Sequence, residues 1–476
     1  MNKSSLLFCM SLGACLGLSG CVPPKQTYRQ PDLPVAPAVW HDGLNNQQQA
    51  NETPKADHTV ADTTWQDVYT DPKLREVIQL ALKNNRDLRV SLLNVEKAEA
   101  QFRLQRASQF PEIDASASGE AYRVPSSSSP TGKSYVSESI NAGVGISSWE
   151  VDIFRRLHNL SKQQFELYLA SQESRRDTQV SLISSVASQY LSVAADQETL
   201  AFAQQTFTSQ QATYDLTRQS RDHGIKSDLD VSESLSQVES ARADIAKYQH
   251  QLNSDLTELE VLVGIQVPAG LLPSSMKESE WLKDVSVGLP SETLLHRPDI
   301  REAEHNLKSA YANIASARAA YFPKITLTTS GGVTSASLSS LFKGGPGTWE
   351  FYPQVSLPIF DAGTRAANYK TARVERDTYI AQYEKAIQTA FQDVSDALNG
   401  RTRLLEEEKA QEANVKALTD TYRLTEARYK SGIDNYQSVL DAQRSLYSGQ
   451  VTLISLRLSR LSNQVTLYKA LGGGSL

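Results

Sequence analysis

The chain has little cysteine: Cys9, Cys15 and Cys21 are the only three in 476 residues. Processing just before Cys21 would leave one thiol, so no intrachain disulfide could form and stability would have to come from packing and assembly. Proline is missing between Pro130 and Pro268 and again after Pro358, and glycine is missing from 155 to 222. These are the residues that interrupt helices, so the gaps exclude short, punctuated elements over long stretches. There is no basic excess: 48 Lys and Arg face 54 Asp and Glu, a net charge of −6, which argues against nucleic acid as a partner. The mean hydropathy of −0.40 excludes a bundle of bilayer-spanning helices. No His-Glu-x-x-His, Gly-rich phosphate loop or Cys pair is present, and the seven His residues are scattered. The acidic run Glu406-Glu407-Glu408 reads as a solvated helix face. No catalytic residue, no metal site and no cofactor other than a covalent lipid is expected.

The opening residues differ from the rest. Met1-Asn2-Lys3 is a short basic start, followed by an apolar run from Leu6 to Leu18. That run is too short to span a bilayer and has the layout of a secretory signal, assigned to residues 1–20. It ends in Leu18-Ser19-Gly20-Cys21, which fits a lipobox, so Cys21 is the expected lipid attachment site. Leu12-Gly13-Ala14-Cys15 also fits but leaves a shorter apolar core. Residues 21–64 carry Pro23, Pro24, Pro31, Pro34, Pro37 and Pro54 among polar residues and read as an extended linker.

Internal repetition sets the architecture. Residues 87–113 align with 299–325 at a constant offset of 212, and ten of those 27 positions are identical, among them Asp87/Asp299, Arg106/Arg318, Phe110/Phe322 and Pro111/Pro323. A second stretch aligns at an offset of 208 and pairs Gly224-Ile225 with Gly432-Ile433 and Gly264 with Gly472. The chain therefore reads as one unit used twice, at 65–267 and 298–471, with a connector at 268–297 and a tail at 472–476. Each unit opens with a helix, about 72–109 or 298–321, ended by Phe-Pro. A β-hairpin follows, about 112–153 or 324–360. Two long helices then meet at a tip near Gly224 or Gly432.

A helix filling the glycine-free stretch from 155 to 222 would be about 100 Å long at 1.5 Å per residue. No globular core has that dimension, so such helices must coil against neighbours. The seams are visible. Val451, Ile454, Leu458, Leu461, Val465 and Tyr468 follow a 3-4-3-4-3 spacing, and Leu235 to Val263 repeats it with two polar breaks. Leu446, Leu453, Leu456 and Leu467 form a second, weaker seam on the last helix, as a ring of helices requires; an ordinary bundle would show much the same.

The hairpin segments alternate instead. Ile140, Ala142, Val144 and Ile146 interleave with Asn141, Gly143, Gly145 and Ser147; 325–334 and 351–359 behave likewise. Segments of about ten residues with one apolar face suit transmembrane β-strands. One chain supplies four strands, which cannot close into a barrel, and open edges are not tolerated in lipid. Two chains would give eight strands, too narrow for an open pore; three would give twelve.

Several motifs then resemble one family. Gly288-Leu289-Pro290-Ser291, Arg297-Pro298-Asp299-Ile300, the run from Ala319 to Ile325, the run from Gly432 to Leu446 and the run from Leu467 to Gly474 are similar to the OprM/TolC-like outer-membrane factors of tripartite efflux pumps. The resemblance implies a mainly α fold with a small transmembrane β part: a homotrimer whose 12-stranded β-barrel is continued by a 12-helix periplasmic α-barrel. It implies an exit duct for drugs or other small toxic compounds, lipid-anchored in the bacterial outer membrane. The implied partners are a periplasmic adaptor (membrane fusion) protein, an inner-membrane RND-type transporter and outer-membrane lipid. The tip turns Gly224, Ile225, Gly432 and Ile433 would contact the adaptor. Asp441 would narrow the closed periplasmic mouth, with Tyr429 in the closing network. Gln437 stands where OprM places a Leu, and Asp434 where TolC carries an Arg. The rivals are a duct for type I protein secretion, a non-conducting periplasmic scaffold or adaptor lipoprotein, and, weakest, a catalytic lipoprotein.

Overall fold

The computed structural model describes residues 28, 64–276, 281–283, 294–341, 343 and 347–474. Cys21, the signal segment and Gly288-Leu289-Pro290-Ser291 lie outside the described residues, as does the linker to residue 63 apart from Tyr28. In chain order the helices and strands are α1 (Trp65–Val68), α2 (Pro72–Asn84), α3 (Arg86–Ala107), β1 (Ile113–Val124), β2 (Tyr135–Glu150), α4 (Arg156–Asp222), α5 (Asp228–Val263), α6 (Pro298–Ala319), β3 (Lys324–Ser335), β4 (Gly347–Ser356), α7 (Thr364–Lys430) and α8 (Tyr436–Ala470). The chain divides into two compact units.

Of the described residues, the first unit takes Tyr28 and those within Val95–Ser171 and Ala303–Tyr383, and it contains all four strands. They form one antiparallel sheet in the order β1-β2-β3-β4, so the two hairpins join through β2 and β3. The register sorts the side chains by face, because alternate residues point to opposite sides. One face carries Ile113, Ala115 and Ala117 on β1, Ile146, Val144 and Ala142 on β2, Gly331 and Val333 on β3, and Trp349, Phe351 and Val355 on β4. The other carries Asp114, Ser116, Ser118 and Glu120, then Asn141, Ser330, Thr334, Glu350 and Gln354. The register slips once, between Ile146 and Trp149, where Ser148 takes a positive φ of 53°. Glycine makes the central pairing possible. A Cβ on Gly332 would lie 2.4 Å from the Ala142 carbonyl oxygen, and one on Gly143 2.8 Å from that of Gly331. Both outer strands are unpaired along one edge. The apolar face stands open: Trp349 is 82% exposed and Val355 67%.

The second unit takes the described residues from 64 to 94, 172 to 302 and 384 to 474. Its core gathers Leu74, Val77 and Ile78 of α2, Ile183, Val186, Ala187, Tyr190 and Leu191 of α4, Leu259 and Val263 of α5, and Leu461, Val465 and Tyr468 of α8. Tyr69 meets Tyr468 edge-on at 5.5 Å, and the Tyr190 hydroxyl donates to the Leu271 carbonyl at 2.8 Å. Thus Ile454, Leu461, Val465 and Tyr468 of the predicted α8 seam are buried.

Two expectations need correction. The single helix expected over 72–109 is two, broken at Asn85. The Asn85 amide donates to the Leu262 carbonyl at 2.8 Å, while its carbonyl oxygen accepts from Leu88 N at 2.8 Å. That side chain caps α3 in place of the continuing helix, and Gly264 (φ 81°) lets the backbone pass Asn84 where a Cβ would collide at 2.5 Å. The second correction concerns Glu408. It is 8% exposed, and its carboxylate accepts from both Arg457 and Arg460, pairing α7 with α8. Its neighbours Glu406 and Glu407 are exposed.

The Arg297-Pro298-Asp299 motif also has a physical reason. Pro298 opens α6, where a missing N–H costs nothing. The buried Arg297 guanidinium binds both Asp299 oxygens at 2.8 and 3.1 Å, reaches Asp393 at 3.1 Å, and donates to the Ala470 carbonyl at 2.8 Å, capping α8.

Candidate functional site

The residues singled out in the sequence lie at the two turns that join α4 to α5 and α7 to α8. Both turns close in the same way. Ile225 N–H donates to the Ser220 carbonyl and Gly224 N–H to that of Arg221, at 2.9 and 2.8 Å. Ile433 and Gly432 repeat this with Arg428 and Tyr429, each at 2.9 Å. This is the Schellman ending, which requires a left-handed residue after the helix. Gly224 and Gly432 supply it, with φ of 75° and 72°. The following helices restart on side-chain caps: Ser227 accepts from Asp230 N on α5, and Asn435 from Ser438 N on α8.

The turns expose apolar side chains. Ile225 is 75% exposed, Leu229 67% and Ile433 63%.

Behind the second turn the four gate candidates are distributed in three places. Tyr429 packs against Tyr436 with ring centroids 5.4 Å apart, and the Lys226 ammonium sits 4.5 Å from the Tyr429 centroid. Tyr436 is buried, and burial first, then the neighbouring Tyr429 and Tyr422, push its hydroxyl up to about 12. It stays neutral at any physiological pH. Asp434 forms a two-pronged bond within its own turn, receiving Arg428 Nε at 2.7 Å and Nη2 at 3.0 Å. That bond holds its carboxyl below the usual carboxylate range. Asp441 lies on α8, exposed, accepting from Gln437 Nε2 at 3.1 Å and lying 3.8 Å from Arg444 Nη1. The structure therefore brings Gln437 and Asp441 together, and separately ties Asp434 to Arg428 and Tyr429 to Lys226.

Lys226 and Arg428 were not anticipated from the sequence. A signal was present: at the offset of 208, Lys226 occupies the place that Asp434 holds in the second repeat, so the two turns carry opposite charges. Among the described residues no group of three or more His, Cys, Asp or Glu is arranged to hold a metal ion.

The sequence profile of the family described as "Outer membrane efflux protein" matches residues 77–265 and 289–473, once over each repeat. The chain belongs to this family. It is 45% identical over 459 residues to the toluene efflux pump outer membrane protein TtgC of Pseudomonas putida, covering 96% of this chain and 93% of that one. To the outer membrane protein OprJ of Pseudomonas aeruginosa it is 38% identical, over 99% and 95% of the two chains. Among solved structures, the open state of the Neisseria gonorrhoeae MtrE outer membrane channel superposes with a TM-score of 0.83 at 35% identity, covering 95% of this chain and 98% of that one. The efflux chain thus has the fold of outer-membrane channels, mainly helical with a small membrane-spanning sheet. It is the outer-membrane exit duct of an efflux system and not an enzyme.

Proposed function

We propose that the chain forms a homotrimeric duct through which small toxic organic compounds leave the cell. The observation that carries this reading is the sheet: four strands, both edges unpaired, one face apolar and the other polar. Edges of this kind cannot stay open in lipid, and three copies supply the twelve strands that enclose an aqueous lumen. Helix α3 supports the same assembly. It has no buried residue in 22, whereas its repeat partner α6 buries Ile300, Leu307 and Ile314. Neighbouring copies would cover the exposed Val90, Leu93 and Leu104 of α3.

The tips would receive a periplasmic adaptor, with Ile225 and Ile433 as apolar contacts and Gly224 and Gly432 setting the turns. The adaptor would connect the duct to an inner-membrane transporter of the RND type. Asp441, Gln437, Asp434 and Tyr429 would form the periplasmic gate. Cys21 would carry the lipid that holds the N-terminus in the outer membrane. The relatives named for toluene, solvent and antibiotic efflux support small organic cargo rather than a secreted protein. The experiment is complementation: expression in a Gram-negative host lacking its own efflux channel. Restored resistance to toluene or hydrophobic antibiotics is expected. A properly assembled protein that restores protein secretion but no small-molecule resistance would overturn the cargo.

A further inference from the structure

The described residue nearest Cys21 is Tyr28, and it is docked. Its hydroxyl donates to Glu304 Oε1 at 3.1 Å. Its ring meets Tyr311 edge-on, with centroids 5.7 Å apart and planes at 89°. Lys308 places its ammonium 5.3 Å from the Tyr28 centroid while pairing with Glu304 at 2.9 Å. Glu304, Lys308 and Tyr311 are spaced i, i+4, i+7, so they form one stripe along α6. Burial, followed by the Glu304 carboxylate, pushes the Tyr28 hydroxyl far above its ordinary value, so it remains a donor.

We infer that this stripe of α6 is the dock for the lipid-bearing N-terminus, and that Tyr28 is the positioning residue that confines Cys21 to the base of the membrane sheet. The inference rests on the reading of Cys21 as the lipid site. The argument is one of reach. Trp65 opens the first helix of the folded body, so without the dock Cys21 would hang on a tether of more than 40 residues. At about 3.4 Å per residue that tether extends to roughly 145 Å. With Tyr28 docked, Cys21 is seven residues from the dock, a contour length of at most roughly 25 Å. From Tyr311 to the end of α6 at Ala319 is about 12 Å of helix, and β3 starts at Lys324 after a short turn. That contour length is comparable with the distance from the dock to the start of β3. The docking stripe, α6 from Ala303 onward and the sheet belong to the first compact unit. A shorter tether raises the effective concentration of the lipid at the nearby leaflet.

The test uses the full-length chain in the outer membrane of a Gram-negative host. A photo-reactive benzoylphenylalanine at position 28 should cross-link to the peptide containing Glu304 to Tyr311. Trypsin cleavage after Arg29 should be at least fivefold faster in Tyr28→Ala and in Glu304→Ala than in the natural chain, while cleavage after Lys55 keeps its rate. Tyr28→Phe, which keeps the ring contact and loses the hydroxyl bond, should fall between. A cross-link that maps away from α6, or equal Arg29 cleavage in all four chains, would overturn the dock. Fatty-acid labelling separates this from the lipid reading. The cross-link should persist in Cys21→Ala while the label disappears. An unlabelled natural chain with an intact cross-link would refute Cys21 as the lipid site, and with it the positioning role of Tyr28.

Discussion

Single residues in this channel carry charge in three different settings, and the setting decides what each is worth. Arg297 is buried and fully engaged, by Asp299, Asp393 and the carbonyl that ends α8. Removing Arg297 leaves two partly exposed carboxylates and the Ala470 carbonyl without their partner, at a cost of about 1–3 kcal/mol. Arg297→Ala should therefore lower the unfolding temperature of the assembled protein, and Arg297→Lys should recover only part, since an ammonium cannot reproduce the two-pronged bond. Differential scanning fluorimetry in detergent checks both. Asp441 is exposed, and its Arg444 neighbour at 3.8 Å is a weak partner in water. If three copies converge at the mouth, Asp441→Ala should raise single-channel conductance and reduce cation preference at low salt. The difference should shrink toward 1 M salt, where the screening length is about 3 Å. An unchanged conductance and selectivity would return Asp441 to an ordinary helix-surface carboxylate. The third setting is half-buried. Burial, together with the adjacent Asp255, pushes Asp196 up to about 7. A carboxyl with a raised folded pKa favours the folded state less as pH rises from about 4 through 7, because the unfolded chain has already released its proton. Asp196→Asn should therefore stabilise the protein at pH 8 and do little at pH 4, a difference that thermal melts at the two pH values would resolve.

At the scale of elements, the sequence told most where a residue type has one physical meaning. The missing prolines predicted the 67-residue helices α4 and α7, and Gly224 and Gly432 the turns after them. Alternation marked the strands, and the register puts their apolar residues on one face. It told less where a polar side chain has several uses. Asn85 could have faced water within a continuous helix; a distant carbonyl, Leu262, made it a cap instead. Glu408 looked solvated because nothing in an acidic run announces Arg457 and Arg460 some fifty residues on. The same held at the tip, where Asp434 binds Arg428 and Tyr429 takes Lys226. Those partners depend on how a turn folds, which composition does not encode. The glycines of β2 and β3 give a prediction at this scale. Since a Cβ on Gly332 would lie 2.7 Å from the Gly143 Cα, Gly332→Val should force the two hairpins apart and prevent the barrel from closing. Loss of the heat-sensitive oligomer band on gels of outer-membrane fractions is expected. Val333→Ala, a neighbour on the opposite face, should leave the band in place.

For the whole molecule, the repeat explains both the pairing and what is left unpaired. Two hairpins meet through β2 and β3 and so bury one edge each, while β1 and β4 keep theirs. The repeat-related helices differ in the same sense: α6 buries Ile300, Leu307 and Ile314, while α3 buries no residue fully. One chain therefore leaves two strand edges and the α3 face for further copies to cover. The number of copies was legible through the closure of a barrel wide enough for water and through the family resemblance, and the lipid proposed for Cys21 through the residues just before it. The measurement that tests the account most directly is the native mass of the purified protein in mild detergent. The account predicts one dominant species at three times the mass of the mature chain, with no stable folded monomer; a population that is mainly monomeric and still folded would contradict it.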